Sequence, residues 1–183
     1  MKLFLYLFIT LNLLMTAVSA EETRQVDKHE HGVGELNIAI EKSMIEFEFM
    51  IPGADIVGFE YIAKSEEDVA IVNKALITLE NHENVFTLPK NSLCQLIGAQ
   101  VALNKEHDEH DEHDEHAEEV HNEFYAKYSF ECGDIKAIDK IEFSYFSSFA
   151  NSGELEVQFI SELGSTSFEV VSDKPFINTE GKI

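Results

Sequence analysis

The chain has 183 residues, 44% of them hydrophobic with 14 Phe, enough apolar surface for one packed core and against disorder throughout. Its 35 acidic against 13 basic residues give a formal net charge of -22 at pH 7, which repels nucleic acid and anionic lipid and favours cations. No long basic run offsets that repulsion locally.

The first element is an export signal. Lys2 precedes an apolar run from Leu3 to Met15, broken only by Thr10 and Asn12, and Val18 and Ala20 form an A-x-A-like cleavage site. Residues 1–20 are therefore read as a signal peptide and 21–183 as the mature domain, exported to a periplasm. The apolar run is short for a bilayer span and no cysteine follows the cleavage site, so neither membrane insertion nor a lipid anchor is expected after cleavage.

Strands come next. Leu36, Ile38 and Ile40 alternate with polar or small residues, as do Ile45, Phe47 and Phe49, and the EKSM between the two runs is short enough for a hairpin. PGADIVGFEY, with Pro52, Gly53 and Gly58, reads as a loop or broken strand covering one end of the sheet. From Ser65 the period changes: Val69, Val72, Leu76 and Leu79 share a helical stripe, with Ser65 as N-cap and Asp68 at the third helical position, predicting a helix over about 66–80.

Val85 to Leu88 is extended and stopped by Pro89, LCQLIGAQVAL is apolar enough for a central strand, and FYAKYSFEC alternates Phe124, Ala126, Tyr128 and Phe130. These last two strands flank a long insert as a hairpin. IEFSYF, LEVQFI and SFEVV follow as further strands, with KPFI closing the chain. About seven strands and one clear helix make the expected class α+β and β-rich: an antiparallel sheet or sandwich with a helix packed on it.

Cys94 and Cys132 bracket the insert at the far ends of its two strands, and an exported chain makes their disulfide the default reading. Between them lies a predicted disordered loop over about 104–122, which contains HDEHDEHDEH. Five of the eight histidines fall here: His107, His110, His113, His116 and His121. An ordinary solvated acidic run has no reason to place histidine at every third position, so the tract points to metal binding.

Imidazole suits zinc, with copper or nickel also accepted in vitro. Asp108, Glu109, Asp111, Glu112, Asp114 and Glu115 would act as auxiliary ligands or hold the ligating rings. His29 and His31, in HEH ahead of the first strand, are a second candidate cluster, whereas His82 reads as a lone charge past the helix end. Calcium would want oxygen ligands and a turn glycine.

No HExxH motif is present, so no catalytic residue and no enzymatic activity are expected. A collector with interchangeable ligands suits the pattern better. Choosing three of five histidines in about ten ways is worth about 1.4 kcal/mol, offset by about 1 to 2 kcal/mol for each residue ordered around the ion.

Taken together, HEHGVGELNIAIE after a signal peptide, IPGADIVGFEY, the Cys94 strand, the His tract, YSFEC, IEFSYFSSFAN and LEVQFIS resemble the zinc-regulated periplasmic zinc-binding family (ZrgA-like) of Gram-negative bacteria. The resemblance implies a periplasmic protein that captures or buffers zinc for uptake, an accessory to a zinc ABC importer or its substrate-binding protein. It places His29 and His31 in the family's opening motif and the tract in its variable insert. Tyr61 stands where that pattern has a histidine after GFE, and Asp55 where asparagine often precedes it; Gly32 and Val57 to Glu60 are read as structural. Two other readings fit the residues: a substrate-binding subunit docking directly on a metal permease, and a β-rich interaction module whose His tract responds to pH.

Overall fold

A computed structural model describes residues 32–107 and 120–183. Eight strands fall in two sheets. β1 (Val33–Glu41), β2 (Met44–Pro52), β3 (Cys94–His107), β4 (Val120–Cys132), β6 (Glu154–Ser161) and β7 (Gly164–Val171) form one sheet in the order β3-β4-β2-β1-β6-β7. β5 (Lys140–Glu142) and β8 (Phe176–Asn178) pair as a small second sheet. The β-rich α+β expectation holds, with one strand more than the sequence pattern suggested.

Period-two alternation decides which face of the large sheet is buried. Leu36, Ile38, Ile45, Phe47, Phe49, Phe124, Ala126, Tyr128, Leu155, Val157 and Phe159 all point into the core, at most 1% exposed. The intervening residues face water. There Lys127 Nζ lies 3.3 Å from Glu46 and 3.9 Å from Glu48, and the bond to Glu46 raises the Lys127 pKa.

Only the β1 and β6 pair is parallel; every other neighbour in the sheet is antiparallel. The β1–β2 hairpin turns at residues 42–43, with Lys42 in the left-handed region at φ 56.

The helix expected near 66–80 is present as α2 (Glu66–Glu80), and the Ser65 side chain accepts from the Asp68 N–H at 3.0 Å. Its buried face is Val72, Ala75 and Leu79, whereas Val69 is half-exposed: the stripe is rotated slightly from the one the periodicity suggests. α2 packs on β3, and the Tyr128 hydroxyl donates to the Leu79 carbonyl near the helix end. Phe86 fills the space beside it, stacked on Phe47 with centroids 4.0 Å apart, an arrangement worth about 0.5 to 1.5 kcal/mol beyond area burial.

Two segments differ from the sequence reading. PGADIVGFEY runs as a loop only over Gly58 to Tyr61; before it lies a short helix, α1 (Gly53–Val57), closed by Gly58 in the left-handed region at φ 84. IEFSYF is strand only as far as Glu142, after which α3 (Tyr145–Ser148) takes over. A single helical turn is too short to show a 3.6-residue period, so neither helix announced itself.

Candidate metal centre

The registers set Glu35 against Met50, Pro52 against Glu123, His107 against Val120, and Val33 against Glu154. The start of β1, the end of β2, the end of β3 and the starts of β4 and β6 therefore share one end of the sheet. Every His-bearing segment singled out in the sequence attaches there: HEH runs into β1, and the tract connects β3 to β4. The opposite end holds Cys94 and Cys132.

The residue that follows HEH is tied down three times. Gly32 donates its N–H to Asp55 Oδ1 at 2.8 Å, and its carbonyl accepts from Gly153 N at 3.0 Å and Glu154 N at 2.8 Å. Asp55 is 1% exposed, so this carboxylate is held inside the fold. Gly153 has to be glycine, because a Cβ there would meet the Gly32 carbonyl oxygen at 2.9 Å. Gly32 itself sits at φ 90, a backbone glycine adopts at little cost.

The GFEY loop is fastened to the start of β4. The Asn122 N–H donates to the Glu60 carbonyl at 2.9 Å, and its side-chain amide donates to the Tyr61 carbonyl at 2.5 Å. A Cβ on Gly53 would strike the carbonyl oxygens of Phe59 and Asn122, at 2.7 and 2.9 Å, so α1, the loop and β4 meet backbone to backbone. This docking sets the Glu60 carboxylate 2.8 Å from His121 Nδ1. The carboxylate is largely buried and the imidazole about one-third exposed, at 14% and 35%.

A carboxylate on Nδ1 orients the ring and makes Nε2 the nitrogen that it can present to a metal, an arrangement common behind histidine ligands. Tyr61 stacks on Phe59 with centroids 4.5 Å apart, and its hydroxyl lies 3.5 Å from Asp68.

Of the predicted ligands, His121 is thus placed against Glu60. His107 ends β3, its backbone in register with Val120. His29, His31, His110, His113 and His116, with Asp108, Glu109, Asp111, Glu112, Asp114 and Glu115, lie outside the described residues, as does most of the 104–122 loop. Among the described residues no three His, Cys, Asp or Glu side chains are grouped closely enough to hold a metal ion.

Glu60 is the partner that sequence reasoning missed, having been read as structural within VGFE. Its signal was there: it is the one charged side chain between Asp55 and Lys64. His82 also differs from expectation. It stands just past the end of α2, as read, but it opens a 3-10 turn with its ring packed against Phe86 and Phe130, centroids 5.6 and 5.0 Å away.

Cys94 and Cys132 are cross-strand partners and are disulfide-bonded, with Cα atoms 3.8 Å apart. Among the described residues no helix is long and apolar enough to cross a membrane. The model of a family described as ZrgA family zinc uptake protein matches residues 28–179. No curated protein matches the chain.

Proposed function

The chain belongs to the ZrgA family of zinc uptake proteins, and from that premise we propose that it captures and buffers zinc in the periplasm without catalysing a reaction. Zinc is its cargo. In this reading residues 1–20 direct export, and the protein hands zinc on to an ABC importer or to that importer's substrate-binding protein. His107, His110, His113 and His116 collect ions, the acids between them concentrate cations, and His121, with His29 and His31, supplies ligands next to the folded body.

The observation that carries the reading is the Glu60 and His121 pair at 2.8 Å. It stands at the point where the tract joins a strand, so one imidazole at the edge of the collector is already oriented before any ion arrives. Holding a ligand in place beforehand removes part of the ordering cost that a polar tract meets on its own. The borderline-soft nitrogen and hard carboxylate fit zinc.

Zinc titration calorimetry on the chain from Glu21 onward tests this, beside a variant with His107, His110, His113 and His116 changed to Gln and beside Glu60→Gln. The tract variant loses most of the bound zinc and keeps the fold. Glu60→Gln keeps the stoichiometry and lowers affinity by about 10-fold or more, as removal of a carboxylate behind a ligating histidine does elsewhere. Affinity of the unaltered chain falls steeply between about pH 7 and about pH 5.5, because imidazole must be neutral to ligate. Unchanged binding in both variants would remove the basis for the proposal.

A further inference from the structure

β3, whose apolar run suggested a central strand, is the longest strand of the sheet and lies at its edge. One side of it is paired with β4; on the other side none of residues 95–104 makes a backbone hydrogen bond to another described residue outside that ladder. Edge strands of soluble proteins are normally blunted by charge, proline or shortness. β7, the opposite edge, is eight residues long, carries Glu169 and is followed by Asp173 and Lys174.

β3 is long, and its charged residues, Lys105 and Glu106, come only at its far end. Residues 91–104, NSLCQLIGAQVALN, contain no charged side chain and no proline, in a chain that is 26% charged. Leu93, Leu96 and Ile97 are 66%, 42% and 56% exposed, and Ala99 and Gln100 are exposed as well. The bulge between Leu96 and Gly98 interrupts the ladder once, and Gly98 to Asn104 runs on regularly against Ser129 to Glu123.

We propose that β3 is a homodimer interface, where the edges of two copies pair antiparallel and join their two sheets into one. The choice of partner follows from charge. A basic partner would gain from acids on the docking strand, and this acidic chain supplies none between residues 94 and 104. A second copy carries the same acidic charge, so the contact can form only through a stretch emptied of acid, as residues 94–104 of β3 are. Antiparallel pairing of one strand with itself is also self-complementary under a two-fold axis, which closes the assembly at two. It sets the two metal ends at opposite ends of the joined ladder, because β3 of each copy runs to its own tract in the opposite direction.

Repulsion between the acidic bodies opposes the pairing and is screened by salt, with a Debye length of about 10 Å at 0.1 M falling to about 3 Å at 1 M. The dimer therefore strengthens as salt is raised, the reverse of an association held by ion pairs.

Sedimentation velocity on the chain from Glu21 onward, with chelator present so that zinc cannot bridge two tracts, reads this directly. The expected result is twice the chain mass at high salt and a shift toward single chains at low salt. Adding charge to the exposed edge with Ala99→Glu and Gln100→Glu together gives single chains at every salt, with the melting temperature retained. Ala99→Glu alone, the milder change, weakens the dimer at least 10-fold and serves where the pair of substitutions impairs folding. Single chains from the unaltered protein at all salts, a dimer that needs zinc, or a dimer that survives both folded variants would each overturn the proposal.

Discussion

The two ends of the β3–β4 hairpin are built on opposite principles. At one end Cys94 and Cys132 lock the strands covalently, and the Cys132 N–H is also held by the Ser43 carbonyl at 2.8 Å in the neighbouring hairpin turn. At the other end the same two strands run into an insert of histidines and acids whose only apolar residues, Ala117 and Val120, are too few to build a core. What borders that insert is polar and already arranged: Glu60 against His121, and Asp55 against the Gly32 backbone. A covalent lock at a distance lets one sheet carry a segment whose composition suits ligand chemistry rather than folding.

Breaking the lock has the largest expected effect. A crosslink between residues 38 apart is worth about 4 kcal/mol by the chain-entropy argument, a large share of an ordinary domain's total of about 5 to 15 kcal/mol. Changing both cysteines to alanine lowers the denaturant midpoint accordingly, and zinc titration of the still-folded variant matches that of the unaltered chain. A loss of zinc binding in step with the loss of stability would mean that the two ends are not independent.

A smaller effect sharpens the same contrast from inside the core. Tyr128 is fully buried and donates to the Leu79 carbonyl, and burial raises its pKa well above the usual phenol value; Tyr145, also buried, is raised for the same reason. Their folded-state pKa values exceed the unfolded ones, so the folded state keeps its protons while the unfolded state releases them. The associated stability is complete below the unfolded value of about 10 and is lost as pH climbs above it. Tyr128→Phe costs about 1 to 3 kcal/mol near neutral pH by leaving a helix-end carbonyl without its donor, and it makes the alkaline loss of stability shallower. Urea melts of both proteins at neutral and alkaline pH check this, with zinc binding near neutrality unaffected.

How legible all this was in the sequence depends on range. Strands such as Leu36 to Ile40 and Phe124 to Phe130 could be read because one face is dry and one wet, which prints period two directly. The α2 start could be read because Ser65 and Asp68 form a local cap. The disulfide followed from compartment and from the strands that carry it.

What could not be read was non-local or too brief. The parallel pairing of β1 with β6 depends on a contact between residues more than a hundred positions apart, and α1 and α3 are single turns. The Glu60 and His121 pair spans 61 residues and exists because Asn122 fastens the GFEY loop to β4. Side-chain chemistry named His121, and only the fold could supply its carboxylate.

The central claim is that zinc is gathered at the end of the sheet where the tract and HEH attach. Backbone amide shift mapping during zinc titration of the chain from Glu21 onward tests it most directly. The account predicts shifts at Gly32, Glu60, His121 and Asn122 and in the tract, with Ser43, Cys94 and Cys132 unmoved. Shifts centred on the disulfide end, or spread evenly over the sheet, would contradict it.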